Sequence, residues 1–189
     1  MLQSDTTDRF YRVVWPHAAM VLRTARYLCR EDAEADDVAQ ETMIKAFRRL
    51  DSFAEGSDTK AWLLTILRNT RIDHLRSKKN TASQVSLDQM LREPAEENET
   101  SLADDPSDWF DPEAMLQGFS DQQMIDALRK IPEEIRWTLL LVDVQCLEQR
   151  EAAVILDVPE GTVKSRAHRG RAMLRALLLP LARDIRIAR

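Results

Sequence analysis

"CLEQREAAVILDVPEGTVKSRAHRGRAML", residues 146–174, reads as two helices separated by a tight turn. The first, "QREAAVIL" at 149–156, carries Ala152 and Ala153, side chains small enough for a close helix crossing. "DVP" at 157–159 interrupts it. A tight turn often demands a positive φ, which Asp157 tolerates better than most residues but less well than Gly. Pro159 suits the first turn of a new helix, where its missing N–H has no partner to lose. Beyond it Val163, Ala167, Gly170, Leu174 and Leu177 recur at i, i+4, i+7, i+11 and i+14, so they share the face turned to the core. The opposite face presents Thr162, Ser165, His168 and Arg169, flanked by Lys164, Arg166 and Arg171. Two helices joined by so short a turn form a helix-turn-helix, whose second helix lies in the major groove of DNA. Arg169 is then the candidate for a bidentate guanine contact, and the three flanking cations are placed for phosphates. Without further support, a basic helix of this kind is also compatible with a plain solvated surface.

The rest of the chain is in keeping with that reading. Helix formers dominate its 189 residues, with only 4 Gly and 7 Pro, and hydrophobic residues make up 44% against 31% charged. An all-α protein of one or two small domains is expected. The net charge of −5 conceals a segregation. Five Lys or Arg face Asp73 alone between Arg68 and Lys79, and residues 160–189 hold eight bases against two acids. Between these basic islands, residues 88–113 carry ten acids against Arg92. That stretch has little periodicity and is rich in Ser, Asp, Glu and Pro, the composition of a flexible linker. Its Trp109 and Phe110 could dock transiently. The chain divides accordingly into a unit at 1–80, an acidic linker at 81–118 and a second unit at 119–189. Cys29 and Cys146 lie outside any metal-binding or disulfide spacing and are expected to be buried free thiols. "MLQSDTTDRFYR" lacks the apolar run of a signal peptide, and no stretch is apolar enough to insert in a membrane, so a cytoplasmic location is expected.

In the first unit, Ala35, Ala39, Met43, Ala46, Phe47 and Leu50 fall on one stripe of a helix from about Glu34 to Leu50, and that stripe should be buried. Its other face offers Asp37, Glu41, Ile44, Lys45 and Arg48, with Gln40 at the edge. Charge patterning alone makes this a solvated surface, although Ile44 among the charges hints at a partner. A further helix, from about Lys60 to Lys78, opens with the apolar "AWLLTIL" and ends in the basic "RNTRIDHLRSKK". Its first half should be core, with Trp62 a packing residue, while Arg68, Arg71, His74, Arg76, Lys78 and Lys79 reach solvent. Asn69 stands at the boundary of the apolar face. The loop between these helices hinges on Gly56 and has Phe53 as its only aromatic.

Two blocks together resemble the extracytoplasmic-function sigma factors, bacterial proteins that direct RNA polymerase to promoters. "EADDVAQETMIKAFRRLDSF…AWLLTILRNTRIDHLR" is similar to their region 2, and "IPEEIRWTLLLVDVQCLEQREAAVILDVPEGTVKSRAHRGRAMLR" to their region 4. The resemblance implies that Asp37, Gln40, Glu41, Ile44 and Arg48 dock on the β′ clamp helices of core RNA polymerase, with a further contact to the β flap. It implies that Phe53 and Asn69 lie where a flipped base of the minus-ten element is held, and that Arg68, Arg71, Arg76, Lys78 and Lys79 grip the DNA backbone there. Thr162, Ser165, His168 and Arg169 would read the minus-thirty-five element, with Lys164, Arg166 and Arg171 on its phosphates. An anti-sigma factor is implied as a regulator, and no cofactor is called for.

Other classes fit less well. His17, His74 and His168 have no nucleophile, carboxylate or Cys set at catalytic spacing around them, and no phosphate-cradling Gly loop exists, which argues against an enzyme. A decoy that merely titrates an anti-sigma factor would have no need of both basic islands. A lone helix-turn-helix repressor would leave the first block unexplained.

Overall fold

The computed structural model describes residues 2–54, 56–85 and 121–187, and every regular element among them is helical. In the N-terminal unit, α1 (Leu2–Val13) leads through a 3-10 turn at Trp15–His17 into α2 (Ala18–Leu28), followed by α3 (Asp32–Arg49) and α4 (Thr59–Val85). A second 3-10 turn, Leu50–Ser52, ends α3. Helices α2, α3 and α4 pack on one another around Val21, Ala25, Leu28, Ala35, Val38, Leu63, Leu64 and Leu67, all essentially without exposure. The expected stripe of α3 holds at Ala35, Ala39, Ala46 and Leu50, with Met43 half-buried. Phe47 departs from it. Its ring meets Phe10 of α1 edge-on at 5.3 Å instead of entering the core, and it remains 39% exposed.

No Pro or Gly interrupts "NTASQV", so α4 runs on to Val85 and makes the first residues of the expected linker, 81–85, helical. The remainder of that linker, Trp109 and Phe110 included, lies outside the described residues.

The C-terminal unit contains α5 (Asp121–Arg129), α6 (Glu133–Leu139), α7 (Gln149–Leu156) and α8 (Glu160–Ile187). Pro132 precedes α6, and Leu140–Val144 widens into a π turn that brings Asp143 and Gln145 to the contacts described below. At the start of α7 the Glu148 side chain takes an N–H of the first turn while Glu151 accepts from the Glu148 N–H at 3.0 Å, a reciprocal capping box. The turn after α7 places Asp157 at φ 53, ψ 50, the left-handed conformation read from the sequence. Pro159 lies just before α8, its carbonyl accepting the Thr162 and Val163 N–H groups, so it caps the helix from outside the first turn. Of the two cysteines, Cys29 is buried as expected, and burial pushes its thiol up to about 11. Cys146 is exposed, in correction of the sequence reading, because it sits at φ 53 in the open stretch after the π turn.

The two units pack together, α2 against α5 and α6, and α4 against α7, and their buried side chains form one continuous cluster.

Candidate nucleic-acid interface

The recognition helix is set by how α8 seats on its neighbours. Val163, Ala167 and Gly170 are buried against α6 and α7, and Ala152 and Ala153 are the buried small residues of α7 that permit the crossing. At Gly170 the approach is so close that a Cβ would stand 2.8 Å from both Ile135 Cγ2 and Leu139 Cγ. This packing turns Ser165, His168 and Arg169 outward, all exposed, with Thr162 half-buried at the edge. Lys164 is exposed beside them. Arg166 and Arg171, expected as free phosphate ligands, are instead half-buried in ion pairs. Arg166 meets Glu134 at 2.6 Å, and Arg171 forks onto Asp143 at 2.7 and 3.2 Å. Both pairs tie α8 to the α6 segment and fix the angle of the reading face. Among the described residues no ion pair engages Lys164, His168 or Arg169.

The second basic surface is less open than its sequence suggests. Asn69 and Arg76 are exposed, and Lys78 is exposed but paired with Glu34 at 2.8 Å. The side chain of Lys79 lies outside the described residues. Arg71, expected in solvent, is only 4% exposed. It donates to Glu34 at 2.6 Å and to both oxygens of Glu133 at 3.2 and 3.3 Å. Burial alone would raise the Glu34 carboxyl, but hydrogen bonds from Lys78 and Arg71 outweigh it and hold the group below its ordinary range. Arg68 donates to the Leu156 carbonyl at 2.8 Å, across the two units. His74, another expected solvent residue, is half-buried 2.5 Å from Glu41.

Phe53 is buried, its ring 4.5 Å from that of half-buried Trp62. The loop around it is held by Arg9, which the sequence reading overlooked: its guanidinium donates to the Leu50 carbonyl at 3.0 Å and the Phe53 carbonyl at 2.7 Å. Arg9, Arg12, His17, Phe53, Ser57 and Thr59 line an open cleft of ≈ 490 Å³ next to this loop. Gly56, at φ 83, provides the bend there, as a hinge glycine should.

On α3, Asp37, Gln40, Ile44 and Arg48 are exposed. Glu41 is half-buried between Lys45 at 2.9 Å and His74, and the hydrogen bonds from these two hold its carboxyl below the usual range. Exposed Tyr11 and Trp15 stand close to Phe10 and so extend this face beyond Phe47 with more aromatic surface.

The contacts between units are polar as well as apolar. Arg136, only 7% exposed, donates to the carbonyls of Leu28 at 3.0 Å and Tyr27 at 3.3 Å, while its other amine holds those of Ile131 at 2.8 Å and Arg129 at 3.1 Å. Arg129 donates to the Cys29 carbonyl at 2.9 Å, and Gln145 to Thr24 at 3.2 Å. Lys60 donates to the Gln145 carbonyl. Two arginines thus occupy the carbonyl end of α2, where a helix leaves unpaired acceptors and partial negative charge.

Residues 14–81 match the family described as Sigma-70 region 2, and residues 121–174 that described as Sigma-70, region 4. The RNA polymerase sigma-H factor of Pseudomonas aeruginosa is 35% identical over 156 residues, spanning 80% of this chain and 76% of its own length. The ECF RNA polymerase sigma factor SigW of Bacillus subtilis is 34% identical over 149 residues, 78% of this chain and 77% of its own length. This chain is an extracytoplasmic-function sigma factor. Its fold is shared by the sigma factor RpoE of Bartonella quintana, solved in complex with the anti-sigma factor NepR, at a TM-score of 0.65 and 28% identity over 92% of this chain and 96% of that one. As a sigma factor it is a transcription initiation factor. No helix among its described residues is long and apolar enough to cross a membrane.

Proposed function

We propose that this sigma factor binds core RNA polymerase in the cytoplasm and opens promoters by holding DNA at two separate points. The outward face of α3, with Asp37, Gln40, Glu41, Ile44 and Arg48, docks on the β′ clamp helices, and the C-terminal unit sits on the β flap. Ser165, His168 and Arg169, with Thr162 at the edge, read the minus-thirty-five element. Lys164 binds phosphate directly, and Arg166 and Arg171 do so after exchanging their carboxylate partners. The loop at Phe53 and the exposed Asn69 hold the melted minus-ten strand, with Arg68, Arg71, Arg76, Lys78 and Lys79 on its backbone.

The observation that carries this reading is the division of α8 into a buried Val163–Ala167–Gly170 face and an exposed Ser165–His168–Arg169 face, within a chain of this family. The sigma factor RpoE of Bartonella quintana, which shares this fold, was solved bound to the anti-sigma factor NepR, which supports control of this chain by such a protein. Footprinting of the reconstituted holoenzyme tests the arrangement. Protection of two promoter elements, with the upstream one lost in Arg169→Ala, supports it; a single protected patch contradicts it.

A further inference from the structure

Between α1 and the loop that follows α3, we infer that the chain carries a second nucleotide site, which takes an unpaired nucleotide of the melted strand other than the one held at Phe53 and Asn69. The inference deepens the sigma-factor reading above and rests on it for the identity of the strand. Its site is the open cleft of ≈ 490 Å³, within the range of about 300–1,000 Å³ usual for small-ligand sites. Asn69 is not among the residues that line it. Phe53 stands between the two places. Its ring packs on Trp62 of α4, while its backbone carbonyl is held by Arg9 of α1.

The walls supply what each part of a nucleotide needs. Arg12 is exposed, and among the described residues no ion pair engages it or His17. On α4, by contrast, Arg71 and Lys78 are already paired with carboxylates. None of the described residues lining the cleft is acidic, so the charge of Arg12 is available to a phosphate. Arg9 already donates to two loop carbonyls, at 3.0 and 2.7 Å. What it offers a ligand is therefore its charge and a flat guanidinium on which a base can stack. The Ser57 and Thr59 hydroxyls and the His17 ring can each donate or accept, which suits the edge of a base, and Val13 and Phe53 add apolar surface. A small inorganic anion would have no use for that apolar surface, and an apolar ligand none for the cations. A base inside a duplex is stacked and cannot enter, whereas one from a melted strand can.

The test uses holoenzyme assembled from core RNA polymerase and the full chain, bound to a forked template whose minus-ten region is single-stranded, with affinity read by fluorescence anisotropy. Abasic substitution along that strand locates the nucleotide at Asn69, as the position whose loss costs nothing further in Asn69→Ala. Uncharged methylphosphonate linkages are then walked along the same strand. In wild type a linkage at a different nucleotide should weaken binding about tenfold, the order of one charge-assisted hydrogen bond. That sensitivity should vanish in Arg12→Gln and persist in Arg23→Gln, which removes an exposed cation of α2 outside the cleft. Removing the base of the same nucleotide should also weaken wild type, which a bare phosphate contact would not show. The salt slope should become shallower by about 0.7 in Arg12→Gln, one phosphate contact on a single strand. Circular dichroism of Arg12→Gln should match wild type. Free deoxynucleoside monophosphates should bind the full chain no more tightly than about 1 mM. Micromolar binding of these, lost in Arg12→Gln, would assign the cleft to a free nucleotide and overturn the inference. So would a strand with no linkage silenced by Arg12→Gln, or a silenced linkage whose base can be removed without effect, while the Asn69 position stands. A holoenzyme that binds no forked template at all overturns the sigma reading as well.

Discussion

Arg136 donates to the Leu28 carbonyl at 3.0 Å although 108 residues separate them in the chain. The pair joins the C-terminal unit to the end of α2, and Arg136 has three further carbonyls around it. Arg136→Ala leaves these acceptors without a donor. It should lower stability by about 3 kcal/mol or more in urea unfolding, since each stranded acceptor costs about 1–3 kcal/mol. Arg136→Lys should recover only part of this, because an ammonium lacks the planar fork that serves several carbonyls at once.

Gly170 and Gly161 lie on the same helix with opposite surroundings. A Cβ at Gly170 would meet Ile135 and Leu139 at 2.8 Å, whereas one at Gly161 meets nothing within 4 Å. Gly170→Ala should therefore destabilise by about 1–3 kcal/mol through overpacking. Gly161→Ala should stabilise by about 0.5–1 kcal/mol through helix propensity. Thermal unfolding of both variants checks the contrast, and equal shifts would contradict the packing of α8 on α6.

Asp157 holds φ 53 without the freedom of glycine. Asp157→Gly should raise stability by about 1 kcal/mol, the approximate cost of a left-handed conformation for a residue with a Cβ. Asp157→Val should lower it, because branching at Cβ makes that conformation worse.

Glu34 titrates below its ordinary value of 4.5 in the folded chain, because the hydrogen bonds from Lys78 and Arg71 overcome its burial. The unfolded chain therefore takes up this proton at higher pH than the folded one. The stabilisation from Glu34 is complete above about pH 4.5 and drains away as pH falls through the lower folded value. Glu34→Gln should reduce stability at neutral pH and flatten the acid limb of a stability profile. An acid limb as steep as that of wild type would contradict the role given to the Arg71 pair.

Arg169 and Lys164 are both exposed on α8 but are placed for different tasks. Arg169→Ala should weaken binding to a matched upstream element by about 1–3 kcal/mol and relax its base preference. Lys164→Ala should weaken matched and scrambled sites alike and reduce the salt slope by about one unit. Equal losses on matched and scrambled DNA for Arg169→Ala would remove it from base reading.

Much of this architecture was legible in the sequence because local patterns determine it. The 3.6-residue spacing of Val163, Ala167 and Gly170 fixed which side of α8 faces out, and the bounds of α7 followed from its neighbouring turn signals. What stayed hidden depends on partners distant in the chain. Arg71 looked like one more cation in a basic run, and only the arrival of Glu133, 62 residues later, buries it. Arg136 did leave a trace, as a cation in the apolar run "IRWTLLL" one turn before Leu139 and Leu140. Such a residue within an otherwise buried stretch needs acceptors, and that signal could have located the junction between units. Arg9 carried no comparable mark, since its role is to hold two carbonyls of a loop more than 40 residues away.

Run-off transcription with purified core RNA polymerase and this chain, on a template carrying a cognate promoter, tests the central claim most directly. RNA from one defined start, absent when the chain is omitted, is the predicted result. A chain that binds the core enzyme yet yields no RNA from any start would contradict the account.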